Sequence, residues 1–149
     1  KVGEGMADGV TIIGRDGRKI HDVWAQGPEA LLGTTVAGFP NLFMMIGPNT
    51  GLGHSSMVYM IESQTRYLLD ALRTVDAAGA VAIDTHQDRQ DAFNVDLQRR
   101  FAGSVWTSGG CASWYLDAQG RNRTLWPGYT FDFRGRTRRI DPADHELIG

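Results

Sequence analysis

The sequence predicts an α/β fold in which a buried strand leads through a glycine-rich turn into a long helix. Residues 41–46 read Asn-Leu-Phe-Met-Met-Ile, and glycine and proline flank this apolar run on both sides, which favours a strand buried on both faces. Residues 47–54 contain three glycines, and Ser55 or Ser56 can cap a helix that begins near Met57. Ligands of open α/β proteins bind at junctions of this kind.

The helix after the turn has a regular apolar spacing. Its predicted buried face consists of Met57, Ile61, Leu68, Leu72 and Val75. Gly79 is the expected left-handed end of this helix, and residues 80–84 follow as a short strand.

Shorter patterns predict further elements on either side. Residues 9–13 and 18–24 read as two strands of a hairpin with Asp-Gly at its tip, and residues 27–40 read as a loop with three glycines and two prolines. Thr85 and Asp88 resemble the capping box of a second helix that ends at Gly103. The apolar face of this second helix carries Phe93, Leu97 and Phe101.

Aromatic residues concentrate in the tail from residue 104 onward. They are Trp106, Trp114, Tyr115, Trp126, Tyr129, Phe131 and Phe133. Residues 112–116 and 123–126 predict a second hairpin that turns at residues 117–120, and residues 129–133 alternate as in a short strand. We expect the aromatic rings to form a satellite core and the arginines of residues 134–139 to lie on a solvated arm. Stacking on single-stranded nucleic acid is the alternative interpretation.

Length and composition limit the possible functions. A chain of 149 residues with 42% hydrophobic residues can bury one core, but it is short for an enzyme with a dinucleotide cofactor and a substrate domain. A net charge of −2 disfavours general binding to nucleic acid or to membrane surfaces, and no apolar run is long enough for a membrane span. Cys111 is the single cysteine, which fits a cytoplasmic protein. The first residues include no initiator methionine and no signal peptide, so we expect a piece of a longer protein.

The glycines alone do not name a ligand. Residues 51–56 match the dinucleotide pattern G-x-G-x-x-G only with serine in the third glycine position, and residues 53–55 lack the lysine of a phosphate-binding P-loop. The start of the helix nevertheless offers unpaired N–H groups and positive partial charge to an anionic or carbonyl-rich ligand. A tight turn without any ligand is the alternative.

Two segments resemble the C-terminal part of flavin-dependent monooxygenases, especially those of the Baeyer–Villiger type. The first is Gly-Phe-Pro-Asn-Leu-Phe-Met-Met-Ile-Gly-Pro-Asn-Thr-Gly-Leu-Gly-His-Ser-Ser-Met at residues 38–57. The second runs from Trp106 through Gly-Gly-Cys-Ala-Ser-Trp-Tyr at residues 109–115 to Leu-Trp-Pro-Gly at residues 125–128. The resemblance implies a C-terminal fragment of a flavoprotein with two dinucleotide-binding domains. Residues 1–104 would then complete the FAD-binding domain, and residues 105–149 would form an aromatic-rich hairpin, strand and arm.

The resemblance also implies the cofactors FAD and NADPH, and a small-molecule substrate such as a ketone that receives one oxygen atom from O2. The implied cofactor-binding residues are Gly47, Pro48, Asn49, His54, Ser55, Ser56 and Met57. The backbone N–H groups at Ser56 and Met57 would meet the pyrimidine edge of the flavin. We assign His54 a hydrogen-bonding role in preference to that of a catalytic base, and we expect no catalytic or metal-binding residue in this chain.

The motifs that would hold the nucleotides are missing from the chain. It has neither of the two complete G-x-G-x-x-G motifs of such enzymes, nor the F-x-G-x-x-x-H-T-x-x-W signature between them. We therefore expect the fragment alone to bind neither FAD nor NADPH firmly and to depend on the rest of its parent chain. Two alternatives remain open: an N- or S-oxygenating flavin monooxygenase, and a non-catalytic module that binds an anion or a partner.

Overall fold

The computed structural model describes residues 10–53, 55–102, 116–117 and 119–149. The helices are α1 (Ile20–Val23), α2 (Met57–Ala77), α3 (Gln87–Phe101) and α4 (Thr130–Arg136), and the strands are β1 (Ala82–Thr85) and β2 (His145–Ile148). One-turn 3-10 helices occupy Arg15–Gly17 and Pro142–Asp144. Predictions for His54, for Cys111 and for the aromatic residues 106, 114 and 115 lie outside the described residues.

Helix α2 begins and ends where the sequence predicts. Ser56 is the residue before its first turn, and Gly79 adopts a left-handed φ of +63° just after its end. Its buried face is wrong in the prediction, because the buried side chains are those of Met60, Ser63, Gln64, Tyr67 and Ala71. Leu72, which the spacing places on the buried face, is exposed.

Residues 41–46 do not form the predicted buried strand. Asn41 and Ile46 both have left-handed φ angles, of 58° and 55°, which interrupt an extended backbone. The amide of Met44 donates to the carbonyl of Thr34 at 2.8 Å, and Met45 and Ile46 are exposed. The segment is therefore an irregular connection held by individual long-range hydrogen bonds.

The first hairpin is also only partly confirmed. The turn at Arg15–Gly17 contains the predicted Asp-Gly, and Ile13 and Lys19 form an antiparallel bridge beside it. The second predicted strand is wrong, since Ile20–Val23 is the one-turn helix α1. Strand β1, by contrast, lies within one or two residues of its predicted position and pairs antiparallel with β2, with Thr85 opposite His145.

The predicted loop of residues 27–40 is confirmed as irregular, but most of it is buried. Buried backbone groups need hydrogen-bond partners, and amide side chains of α3 supply some of them. Gln90 accepts from the amide of Ala37 at 2.9 Å, and Asn94 donates to the carbonyl of Ala30 at 3.2 Å. The predicted apolar face of α3 is confirmed at Leu97 and Phe101, which are buried.

The tail differs most from its prediction. Leu116 and Asn122 form an antiparallel bridge around the predicted turn, which confirms the tip of the second hairpin within the described residues. Tyr129, Phe131 and Phe133 do not lie on a strand, because residues 130–136 form helix α4. Phe133 is buried, whereas Tyr129 and Phe131 are exposed and stack on each other with ring centroids 5.1 Å apart.

The arginines of the tail are not a uniformly solvated arm. Arg134 lies over the ring of Tyr59 and pairs with Glu62 at 2.8 Å, while Arg136 pairs with Asp132 at 3.4 Å. The Arg134 contacts attach α4 to α2, whereas the Arg136–Asp132 pair lies within α4. Within the part of the chain that the structure describes, no helix is both long and apolar enough to cross a bilayer.

Candidate functional site

The glycine-rich turn is held in place by a segment near the end of the chain. The side-chain nitrogen of Asn49 donates to the carbonyls of Asn122 and Leu125, at 2.8 and 3.0 Å. The backbone amide of Asn49 donates to the carbonyl of Arg123 at 3.1 Å. Asn49 is buried and has a φ of 58°, a conformation that asparagine tolerates better than most residues. Its Oδ1 atom has no hydrogen-bond partner among the described residues.

A parallel bridge between Gly51 and Leu125 adds to this connection. The amide of Gly51 donates to the carbonyl of Thr124, and the amide of Trp126 donates to the carbonyl of Gly51, both at 2.8 Å. A Cβ atom at Gly51 would lie 2.8 Å from the carbonyl oxygen of Thr124, so a larger residue would push the two segments apart. Residues 49–51 of the turn are consequently held firmly against residues 122–126.

Two charged side chains support the segment that contacts Asn49. Arg123 is buried and pairs with Asp117 at 3.2 Å and with Glu29. Burial of Asp117 acts to raise the pKa of its carboxyl, but hydrogen bonds from Arg121, Arg123 and nearby amides outweigh burial and lower this pKa. The carboxylate therefore stays charged and holds both arginines.

Helix α2 begins at the exposed end of the turn. Ser55 and Ser56 are exposed and Met57 is half-buried. Ser56 makes no side-chain cap, and the first turn of α2 contains no acidic residue. The first N–H groups of a helix have no partner inside the helix, so this end of α2 presents donors and positive partial charge.

Gln64 joins helix α2 to the residues that enter the turn. Its side-chain nitrogen donates to the carbonyl of Gly33 at 3.1 Å and to the carbonyl of Met44 at 3.3 Å. Its side-chain oxygen accepts from the amide of Ile46 at 2.9 Å. The sequence reasoning missed Gln64 because a glutamine inside a helix is usually a surface residue. The only signal that the sequence offered is that Gln64 lies beside Ser63 on a face of α2 that carries no charged residue.

Six of the seven predicted cofactor-binding residues lie in the described part of the chain. Gly47, Pro48 and Asn49 form the anchored half of the turn, and Ser55, Ser56 and Met57 form the helix start. His54 lies between these halves in sequence and outside the described residues. Within the described residues, no cluster of three or more histidine, cysteine or acidic side chains could hold a metal ion.

No family model matches the chain, but comparison with known proteins finds related sequences and structures. A Baeyer–Villiger monooxygenase of Pseudomonas aeruginosa is 53% identical over 137 residues, which are 91% of this chain and 26% of that protein. A Baeyer–Villiger monooxygenase of Streptomyces coelicolor is 50% identical over 92% of this chain and 27% of its own length.

A solved structure agrees with these relatives. The structure of an oxidized steroid monooxygenase bound to NADP superimposes on 93% of this chain with a TM-score of 0.79 and 28% identity, and the match spans 26% of that protein. The chain thus spans about a quarter of the length of the relatives that it matches. Over nine tenths of its own length, the chain is related to one segment of Baeyer–Villiger monooxygenases and has the α/β fold of that segment.

Proposed function

We propose that this chain is the C-terminal part of an FAD- and NADPH-dependent monooxygenase that inserts one oxygen atom from O2 into a ketone or a related small-molecule substrate. The longer protein is called the parent protein below. The identity of 53% to a Baeyer–Villiger monooxygenase favours this reaction over N- or S-oxygenation. The match to the structure of a steroid monooxygenase bound to NADP favours a cofactor-binding role over the alternative of a non-catalytic module that binds an anion or a partner.

The start of α2 is the observation that carries the cofactor assignment. An uncapped helix start without acidic side chains suits the carbonyl edge of a flavin, which accepts hydrogen bonds and becomes more negative on reduction. We propose that the backbone N–H groups of Ser56 and Met57 donate to this edge. Gly47, Pro48 and Asn49 would hold the turn in place, and His54 and Ser55 would complete the lining of the site.

The residues of this chain would then position and shield the cofactor without carrying out the reaction. When bound, the flavin supplies the redox chemistry, with NADPH as the reductant and O2 as the oxidant. The N-terminus of α2 would stabilise negative charge at the pyrimidine edge, and the turn anchored by Asn49 would hold the helix start in place. We also propose that the turn and the start of α2 exclude water from the site.

The missing motifs indicate which part of the parent protein binds which part of the cofactors. We propose that residues 1–104 complete the FAD-binding domain and that residues 105–149 form the C-terminal part that closes on it. The adenine and pyrophosphate sites would lie in the rest of the parent protein, so the isolated 149 residues should show no flavin absorbance and no NADPH oxidation. Tight stoichiometric binding of FAD to the isolated chain would contradict this division.

A cytoplasmic location is part of the same proposal. The single cysteine, Cys111, supports it, because secreted proteins of this size commonly contain disulfides. Cell fractionation of the parent protein tests the location, and recovery from the exported fraction would overturn it.

The decisive experiment uses the purified parent protein. We expect bound FAD, NADPH oxidation that a ketone stimulates, and an ester or lactone product that carries one atom from isotopically labelled O2. Oxygen transfer only to nitrogen or sulfur would favour the related N- or S-oxygenating class. A parent protein that binds no flavin would overturn the proposed function.

A further inference from the structure

Helix α2 has a second apolar face in addition to the one that packs on the core of this chain. We call it the open face, and it consists of Val58, Ile61, Leu69 and Leu72. Val58 is 62% exposed, Leu69 46% and Leu72 53%, while Ile61 is half-buried. Large aliphatic side chains recurring at helical spacing are typical of a buried contact, yet the described residues leave three of these four exposed and Ile61 only half-covered.

The open face is not simply the solvent side of the helix. With about 100° between successive residues, the open face lies roughly 100° to 180° around the helix axis from Met60, which is completely buried. Apart from Asp76 in its last turn, the charged side chains of α2 lie on the other flank, at roughly 200° to 280°. They are Glu62, Arg66, Asp70 and Arg73. Helix α2 therefore has a charged flank, which suits water, and an uncharged flank, which does not.

The apolar surface continues beyond the helix. Met45 and Ile46 are 40% and 46% exposed. The amide of Ile46 donates to the side chain of Gln64, which lies on the edge of the buried face next to the open face. The hydroxyl of Thr65, which lies within the open face, is already bonded to the carbonyl of Ile61 at 2.8 Å. The surface thus extends from the residues entering the turn along most of α2, until Asp76 ends it.

We propose that the open face is a docking surface for the rest of the parent protein, in particular for an uncharged apolar surface of the part that carries the nucleotide-binding motifs. This proposal rests on the proposed function only in requiring that the chain belong to a longer flavoprotein. The chain accounts for 26% of the relative from P. aeruginosa, so about three quarters of such a protein is available to cover it. The absence of charge on the open face requires an apolar occupant, because a charged one would lose its hydration without a partner.

The experiment compares two neighbouring positions of α2 in the full-length parent protein. Leu72→Cys places a thiol on the open face, and Arg73→Cys places one on the charged flank of the same turn. We expect maleimide to modify position 72 at least tenfold more slowly than position 73, with the site read by peptide mass spectrometry, and at equal rates after unfolding in urea. Hydroxyl-radical footprinting of the unsubstituted protein gives the same comparison without a variant, with Leu69 and Leu72 protected relative to the unfolded chain.

The possible outcomes separate this proposal from its alternatives. Equal modification rates at positions 72 and 73 in folded parent protein, or full oxidation of Leu69 and Leu72, would overturn the docking proposal. Protection that disappears when the protein is diluted to a monomer would also overturn it, because the occupant would then be a second copy. A parent protein that protects position 72 but binds no FAD would contradict the proposed function alone.

Discussion

The side-chain oxygen of Gln64 accepts a hydrogen bond of 2.9 Å from the backbone amide of Ile46, and this bond ties the entrance of the glycine-rich turn to helix α2. Ile46 has a φ of 55°, which is unfavourable for a β-branched residue, so the surrounding bonds must hold it there. The side-chain nitrogen of Gln64 adds bonds to Gly33 and Met44 on either side of the same junction. The shape of the turn therefore depends on a buried side chain eighteen residues further along the chain.

Replacement of Gln64 should loosen the turn. Gln64→Leu keeps the approximate volume but leaves the amide of Ile46 and the carbonyls of Gly33 and Met44 without this partner, at about 1–3 kcal/mol for each unsatisfied group. If part of this cost falls on the cofactor-binding state, FAD affinity of the parent protein should drop by at least about tenfold. Titration of the apoprotein with FAD measures the affinity.

Gln87→Leu is the matched control for Gln64→Leu. Gln87 is exposed, and among the described residues its side chain bonds to the exposed Asp91 alone, at 2.8 Å. We expect its FAD affinity to stay within about twofold of the unsubstituted protein, because surface substitutions typically change stability by less than about 0.5 kcal/mol. Equal affinities for the two variants would show that Gln64 does not position the turn.

The helix start offers a test of backbone contact with the flavin. Ser56 has a φ of −78°, which proline can adopt, so Ser56→Pro removes one N–H group while keeping the local backbone. We expect weaker FAD binding and slower reduction by NADPH in the parent protein, since one donor to the pyrimidine edge is lost. Met57→Leu keeps every backbone donor and should change both quantities little. Unchanged affinity and reduction rate in a folded Ser56→Pro protein would refute the proposed contact.

Features that depend on neighbouring residues could be predicted from the sequence. Gly79 marks the end of α2 because left-handed termination is decided within a few residues, whereas Ser56 precedes the first turn without the side-chain cap that the sequence predicts. The turn that ends the second hairpin was predicted for the same reason, since Asp117 receives bonds from the amides of Gln119 and Arg121 within the turn itself.

Features that depend on distant partners could not be predicted in this way. The run from Asn41 to Ile46 has the composition of a buried strand, but bonds to residues such as Thr34 and Gln64 determine its irregular path. The candidate site follows the same rule. Residues 47–49 and 55–57 were implied by the resemblance to flavin-dependent monooxygenases, whereas Gln64 and Asn122 were missed because their contacts arise only when segments far apart in sequence meet.

The aromatic cluster at the end of the chain should be a major source of stability. Trp126 is buried against Met60, Leu97 and Phe133, contacts the Phe133 ring edge-on at 5.1 Å, and donates its indole N–H to the carbonyl of Tyr129. Trp126→Ala should therefore lower the free energy of unfolding by about 3–5 kcal/mol. Urea unfolding followed by circular dichroism measures the change.

Phe131→Ala provides the comparison for the Trp126 variant. Phe131 is 67% exposed and stacks on Tyr129, its one ring contact within the described part of the chain, so its loss should cost less than about 1.5 kcal/mol. A cost for Phe131→Ala as large as that for Trp126→Ala would contradict the assignment of the core to Trp126 and would indicate that the exposed pair is buried in solution.

A buried histidine links strand β2 to helix α2. His145 Nε2 lies 3.2 Å from the hydroxyl of Tyr67, and His145 Nδ1 lies 3.1 Å from the carbonyl of Asp141. A neutral ring with its proton on Nδ1 donates to that carbonyl and accepts from Tyr67. Burial lowers the pKa of His145, and His86 adds to this effect, while the Asp141 carbonyl and the charges of Asp141 and Asp144 oppose it. The folded protein thus favours the neutral ring.

Pairing of β1 with β2 should therefore weaken as the pH falls below about 6.5, the ordinary pKa of histidine in an unfolded chain. Since the folded pKa of His145 is lower, the unfolded state binds more protons between the two values, and the free energy of opening decreases there as the pH falls. Hydrogen exchange at the amide of Val81, which donates to Ile148 at 2.7 Å, reports this opening after correction for intrinsic rates. Protection should be greater at about pH 7 than at about pH 5.

Two histidine variants test whether His145 causes this difference. His145→Gln should remove the difference, whereas His21→Gln, at an exposed position, should retain it. A pH dependence that survives in His145→Gln would assign the effect to another group.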